Sequence, residues 1–158
     1  KEHGIIEADF YDKNIGFIIS GGNNLKYWID SRAMNKISRR FGVVVDSDKK
    51  NAGQCIPGQK LGWKAKCESD GGAFVILRKR EIENYIHRSA LQRAGKPQRE
   101  YDDFTDMKQE FGPNVLKVIA GMTGAEILEM DRYLDGGVEH HELKETIEKL
   151  QSLAQREN

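Results

Sequence analysis

Three short apolar runs stand out from an otherwise polar chain: residues 15–20 (IGFIIS), 42–45 (GVVV) and 73–77 (AFVIL). Each is rich in β-branched or aromatic residues and nearly continuous in apolar character, which predicts strands of a parallel sheet covered on both faces. Between them the period changes. Leu25, Trp28, Ile29, Ala33 and Ile37 recur at three- and four-residue spacing, so a helix capped by Asn23 or Asn24 buries one face. A basic helix is expected after Pro57-Gly58, a turn at Asp70-Gly71-Gly72, and a further helix over 81–94. Strands alternating with helices predict an α/β fold whose right-handed crossovers bring the strand C-termini to one sheet edge.

The second half reads as helical. Thr123-Gly124-Ala125-Glu126 has the spacing of a capping box before Ile127, Leu128 and Met130. Gly136-Gly137 is expected to end that helix, and Leu143, Ile147, Leu150 and Leu153 stripe a last one with a Glu/Lys-rich outer face. Gly95-Lys96-Pro97 is the natural linker. The expected organisation is an α/β domain over 1–94 and a helical extension over 98–158.

Charge changes this picture. The chain of 158 residues holds 25 Lys+Arg and 25 Asp+Glu, a formal net charge of zero. Residues 1–31 carry 3 basic and 5 acidic side chains, residues 32–100 carry 16 and 7, and residues 101–158 carry 6 and 13. The net charges are therefore −2, +9 and −7. The basic middle is expected to face a polyanion and the acidic tail to point away from it, the plainer alternative being two solvated faces with no partner. Two cysteines without a CxxC pair fit a reducing cytoplasm. No apolar run approaches the length of a membrane span, so no membrane partner is expected. His140-His141 are expected at the solvated start of the last helix, a more ordinary role than metal ligation.

The sharpest chemical feature is Asp46-Ser47-Asp48, directly after Val43-Val44-Val45. If the backbone stays extended, both carboxylates point the same way at a strand end. Two close carboxylates with hard oxygen donors suit Mg²⁺ or Mn²⁺, whereas a plain Asp/Ser turn is the common alternative. Glu83, in Arg80-Glu81-Ile82-Glu83-Asn84-Tyr85, lies at the next strand end and supplies a third acid. Its alternative role is an acid favoured at a helix N-terminus. Asn84 and Tyr85 are placed to orient the carboxylates.

The ordered trio IISGGNNLKYW, GVVVDSDK and FVILRKREIENYI resembles the Toprim nuclease domain, most closely that of overcoming-lysogenisation-defect (OLD) nucleases and related antiphage defence effectors. The resemblance covers roughly residues 13–94. It implies a Rossmann-like, mainly parallel sheet flanked by helices, bound Mg²⁺ or Mn²⁺, and cleavage of nucleic-acid phosphodiesters, DNA ahead of RNA. It also implies an ABC-type ATPase domain or subunit as partner. Separately from the resemblance, a cut on both strands would favour a homo-oligomer. Asp46 and Asp48 match the family's DxD metal ligands, Glu83 its third acid with Glu81 as the other register, and Gly21 and Gly22 its glycine turn. Lys117 is the candidate for the family's phosphate-facing lysine. Lys49, Lys50, Arg78, Lys79, Arg80 and Arg88 are the expected phosphate contacts. One feature departs from the pattern: the family opens on a strand ending in Glu-Gly, and Ile5-Ile6-Glu7-Ala8 is too close to residue 15 to be that strand. The opening strand is therefore expected upstream. The other reading is a catalytically inert domain that binds nucleic acid or docks on an ATPase.

Overall fold

The computed structural model describes residues 15, 16, 18 and 24–155. The expected strand over 15–20 lies outside them apart from Ile15, Gly16 and Ile18, and Glu7, Gly21 and Gly22 lie outside them altogether. The first helical stretch is two helices, α1 (Asn24–Asp30) and α2 (Ala33–Ile37). The break falls at Arg32, whose φ of 50° is left-handed. The Ser31 hydroxyl helps end α1 by donating to the Tyr27 carbonyl at 2.6 Å.

β1 (Gly42–Val45), α3 (Gly58–Ser69) and β2 (Ala73–Ile76) form a strand–helix–strand unit. β1 and β2 pair in parallel, with Val43 opposite Phe74 and Val45 opposite Ile76. Val43, Phe74, Cys67 of α3 and Ile29 of α1 are buried together, so α1 and α3 cover one face of the pair. The described residues are thus mixed α/β with a small parallel sheet.

The predicted helix over 81–94 is instead a 3-10 turn, Ile82–Tyr85, followed by α4 (Arg88–Arg93). Ile86 is extended between them, and His87 caps α4 by accepting from the Ser89 amide at 3.2 Å. α5 (Met107–Phe111), a second 3-10 turn (Val115–Gly121) and α6 (Gly124–Asp131) follow. Ile86, Ala90, Leu91, Met107, Phe111, Val115, Val118 and Met122 make one buried cluster, which joins residues on both sides of the Gly95–Pro97 segment.

The capping box of α6 forms as the sequence indicates: the Thr123 hydroxyl accepts from the Glu126 amide and Glu126 accepts from the Thr123 amide at 2.8 Å. Gly136-Gly137 makes a different structure from the expected helix stop. It turns an antiparallel hairpin, β3 (Arg132–Asp135) and β4 (Val138–His141), and both glycines have positive φ, 55° and 82°. His140 and His141 consequently lie on β4 rather than at a helix start.

α7 (Glu142–Gln155) returns to the parallel pair. A Cβ at Gly42 would collide with Leu150 Cδ2, so the glycine lets the helix come close to β1. Its first residue, Glu142, accepts from the Arg78 amide at 2.7 Å and from the Tyr85 hydroxyl. Asp131 is 2% exposed and accepts from the Leu143 and Lys144 amides, capping α7 from the end of α6.

Candidate functional site

The ends of β1 and β2 are stitched side by side. The ladder continues one step past the strands through the Leu77 amide and Val45 carbonyl, 2.9 Å apart. Two residues on, the Ser47 hydroxyl donates to the Lys79 carbonyl at 2.7 Å, and the Asp48 amide donates to the Arg80 carbonyl at 3.0 Å. Ser47 is fully buried by these contacts. Asp46 then accepts the Ile82 amide on Oδ1 at 2.9 Å, which ties the first acid to the segment bearing the other two.

Extended alternation does not carry through to Asp48, whose φ of 57° is left-handed. The two aspartates therefore do not project in the parallel fashion expected of an extended DxD. Lys60 of α3 spans them instead, donating to the Asp46 carbonyl at 2.6 Å and forming an ion pair with Asp48 Oδ2.

Glu83 is 2% exposed. Lys108 of α5, a residue that no local motif points to, lies 2.8 Å from Glu83 Oε1 and 3.1 Å from Glu81 Oε2. Burial works against the Lys108 ammonium, but its hydrogen bonds to Glu83 and Glu81 hold its pKa above the ordinary lysine value. Glu83 Oε2 is buried and has no hydrogen-bond partner among the described residues. Burial raises the Asp46 pKa, the Ile82 amide opposes it, and the nearby charges of Glu83, Asp48 and Glu81 raise it further. Asp46, Glu81 and Glu83 thus form one electrostatically crowded acidic group at the sheet edge.

Asn84 acts as the sequence suggests only in part. Its side chain accepts from the Glu81 amide at 2.9 Å and donates to the Asp102 and Thr105 carbonyls, each at 3.0 Å, fixing the backbone around the acids. Tyr85 turns away from them to Glu142. Lys117 is exposed on the second 3-10 turn and makes no ion pair with the acids among the described residues; Lys108 holds that place.

The basic residues divide by what they already touch. Lys79 is 9% exposed and lies 3.1 Å from Asp103, and Arg80 lies 2.6 Å from Asp106. Arg88 pairs with Glu100 at 2.6 Å. Lys49, Lys50 and Arg78 form no such pair among the described residues and are the accessible cations of the predicted set. Folding therefore undoes much of the charge segregation. Acids of the tail pair with the basic middle at Lys79, Arg80, Arg93–Glu126 and Arg99–Glu110, instead of forming a surface turned away from it.

Among the described residues, no group of three or more His, Cys, Asp or Glu side chains is arranged to hold a metal ion as it stands. The chemistry of the donors does suit one: all are carboxylate oxygens, one of them buried without a partner, beside an aspartate crowded by like charge. Among the described residues, no helix is long and apolar enough to cross a membrane. Comparison with family models, with curated proteins and with solved structures returned no match.

Proposed function

We propose that this chain is a Toprim-like α/β domain that hydrolyses nucleic-acid phosphodiesters with Mg²⁺ or Mn²⁺. The observation that carries this reading is that Asp46, whose proton affinity is raised by burial and then by the charges of Glu83, Asp48 and Glu81, shares the sheet edge with Glu83, whose Oε2 is buried and unpartnered among the described residues. Acids perturbed as Asp46 is gather at functional sites. Asp46 and Glu83 both follow the C-terminal ends of parallel strands, where open α/β sheets place their chemistry.

Asp46 and Glu83 would hold the ion, with Glu81 beside them. When bound, the ion supplies a water nucleophile at neutral pH and polarises the phosphoryl oxygen. The chain's own residues do the rest. The Ile82 amide fixes the Asp46 carboxylate, Asn84 fixes the backbone of Glu81, and Ser47 holds the two strand exits together. Lys108 places a positive charge at the acids, where it can stabilise a phosphate as negative charge develops. Lys49, Lys50 and Arg78 offer the salt-sensitive backbone contacts.

The test is Mn²⁺-dependent nicking or linearisation of supercoiled plasmid by the full-length polypeptide. Asp46→Ala should abolish it, and cleavage at the wild-type rate by that variant would remove the reading. One observation favours a second reading, an inert nucleic-acid-binding or scaffolding domain. Lys60 and Lys108 are already seated on Asp48, Glu81 and Glu83, as in a site that neutralises its acids internally.

A further inference from the structure

A cleft of about 460 Å³ opens beside the strand ends, between the loop after Asp48, the start of α3 and the residues leaving β2. That volume is in the range that accepts a small ligand. Ile56, Leu61 and Phe104 give it apolar surface, while Lys49, Lys64 and Arg78 give it three cations. The one carboxylate on its wall, Asp103, is matched by Lys79 at 3.1 Å.

The cations are held in a particular way. Lys49 Nζ lies 5.5 Å from the centroid of the Phe104 ring, and the Arg78 guanidinium lies 4.1 Å from that of Tyr133. Aromatic faces position both groups, and neither forms an ion pair with a carboxylate among the described residues; the Lys49 charge is left for a ligand, whereas that of Arg78 also acts on Glu142. Lys64 likewise forms no ion pair there. Cations alone would suit any phosphate backbone. Cations around an aromatic and aliphatic wall suit an anion that also carries a flat apolar body.

We infer that this cleft takes one unpaired nucleotide of a nucleic-acid strand, its base against Phe104 and Ile56 and its phosphate on Lys64 and Arg78. The inference rests on the nucleic-acid reading above and narrows its substrate class to strands with at least one unpaired base. A base inside a duplex has both faces stacked and its pairing edge occupied, so it cannot enter without being flipped.

The test is fluorescence anisotropy in EDTA, with the full chain and a labelled oligothymidylate of about 12 nucleotides against a blunt duplex of the same length. Base stacking on an aromatic is worth roughly 5- to 100-fold in affinity. The single strand should bind about 10-fold more tightly than the duplex. Phe104→Leu should remove most of that preference without weakening duplex binding, and Lys64→Glu should weaken both. If Phe104→Leu lowers the melting temperature, Ile56→Ala, at the other residue the base would rest on, carries the same test. Equal affinity for single and double strands, or a preference unchanged in the folded variants, overturns the inference. Because EDTA removes the metal, single-strand preference without Mn²⁺-dependent cleavage would overturn the hydrolytic reading alone. Cleavage without single-strand preference would overturn this inference alone.

Discussion

Lys108 Nζ lies 2.8 Å from Glu83 Oε1 and 3.1 Å from Glu81 Oε2, so a single ammonium from α5 bridges two acids at the exit of β2. Glu83 is 2% exposed, and removing its cation leaves a buried charge uncompensated. Lys108 itself is half exposed, which moderates the effect. Lys108→Met should cost about 1–2 kcal/mol in EDTA, read as a fall of roughly 3–6 °C in Tm. Mn²⁺ should raise the Tm of this variant more than that of the wild type, because the ion takes over the same charge. An equal Mn²⁺ response in both proteins would separate Lys108 from the metal site.

Asp46 gives the opposite sign. Its folded pKa is raised above 3.8 by burial and by Glu83, Asp48 and Glu81, so the folded state holds the proton more tightly than the unfolded one. Stability from this group is present at low pH and is lost as pH rises from 3.8 through the raised folded value. Asp46→Asn keeps the acceptor for the Ile82 amide and removes the crowded charge. In EDTA at pH 7 the variant should melt about 2–4 °C higher than the wild type, and the difference should vanish below pH 3.8. Thermal melts across pH measure both.

Glu126 behaves in the usual way for a paired carboxylate. Its oxygens lie 2.6 and 2.7 Å from the two terminal nitrogens of Arg93, and it also accepts the Thr123 amide at 2.8 Å. The Arg93 bonds first, and the Thr123 amide next, hold its pKa at about 2, below the ordinary 4.5. The stability it contributes is complete above pH 4.5 and is lost as pH falls toward 2. Arg93 is half exposed, so Glu126→Gln should cost only about 1 kcal/mol at pH 7. The wild-type advantage should shrink between those pH values in urea melts. A constant gap across that range would mean the ion pair contributes nothing.

The local signals in the sequence survive folding well. Val43–Val45 and Ala73–Ile76 become parallel partners, Thr123 and Glu126 form their capping box, and the stripe through Leu150 and Leu153 docks α7 beside β1. Periodicity located the helices but missed their breaks. The left-handed Arg32 and the extended Ile86 are set by local backbone geometry that apolar spacing does not register. Gly136-Gly137 carried a hairpin signal, since both positions need positive φ, yet the helical pattern before it pointed to a helix stop. The acids were legible because Asp46 and Glu83 follow apolar strands. Lys108 was not, because it reaches Glu83 across 25 residues of chain and three-dimensional packing alone brings them together. The same packing returns Asp103 and Asp106 to Lys79 and Arg80, which a charge count along the chain cannot anticipate.

We propose Asp46 and Glu83 as ligands of one divalent cation, and isothermal titration with Mn²⁺ measures that binding without recourse to activity. Wild-type protein should bind Mn²⁺, Asp46→Ala and Glu83→Gln should each weaken binding at least about 10-fold, the loss of one charged ligand, and Lys117→Ala should bind as the wild type does. Absence of Mn²⁺ binding, or binding that neither Asp46→Ala nor Glu83→Gln alters, would contradict it.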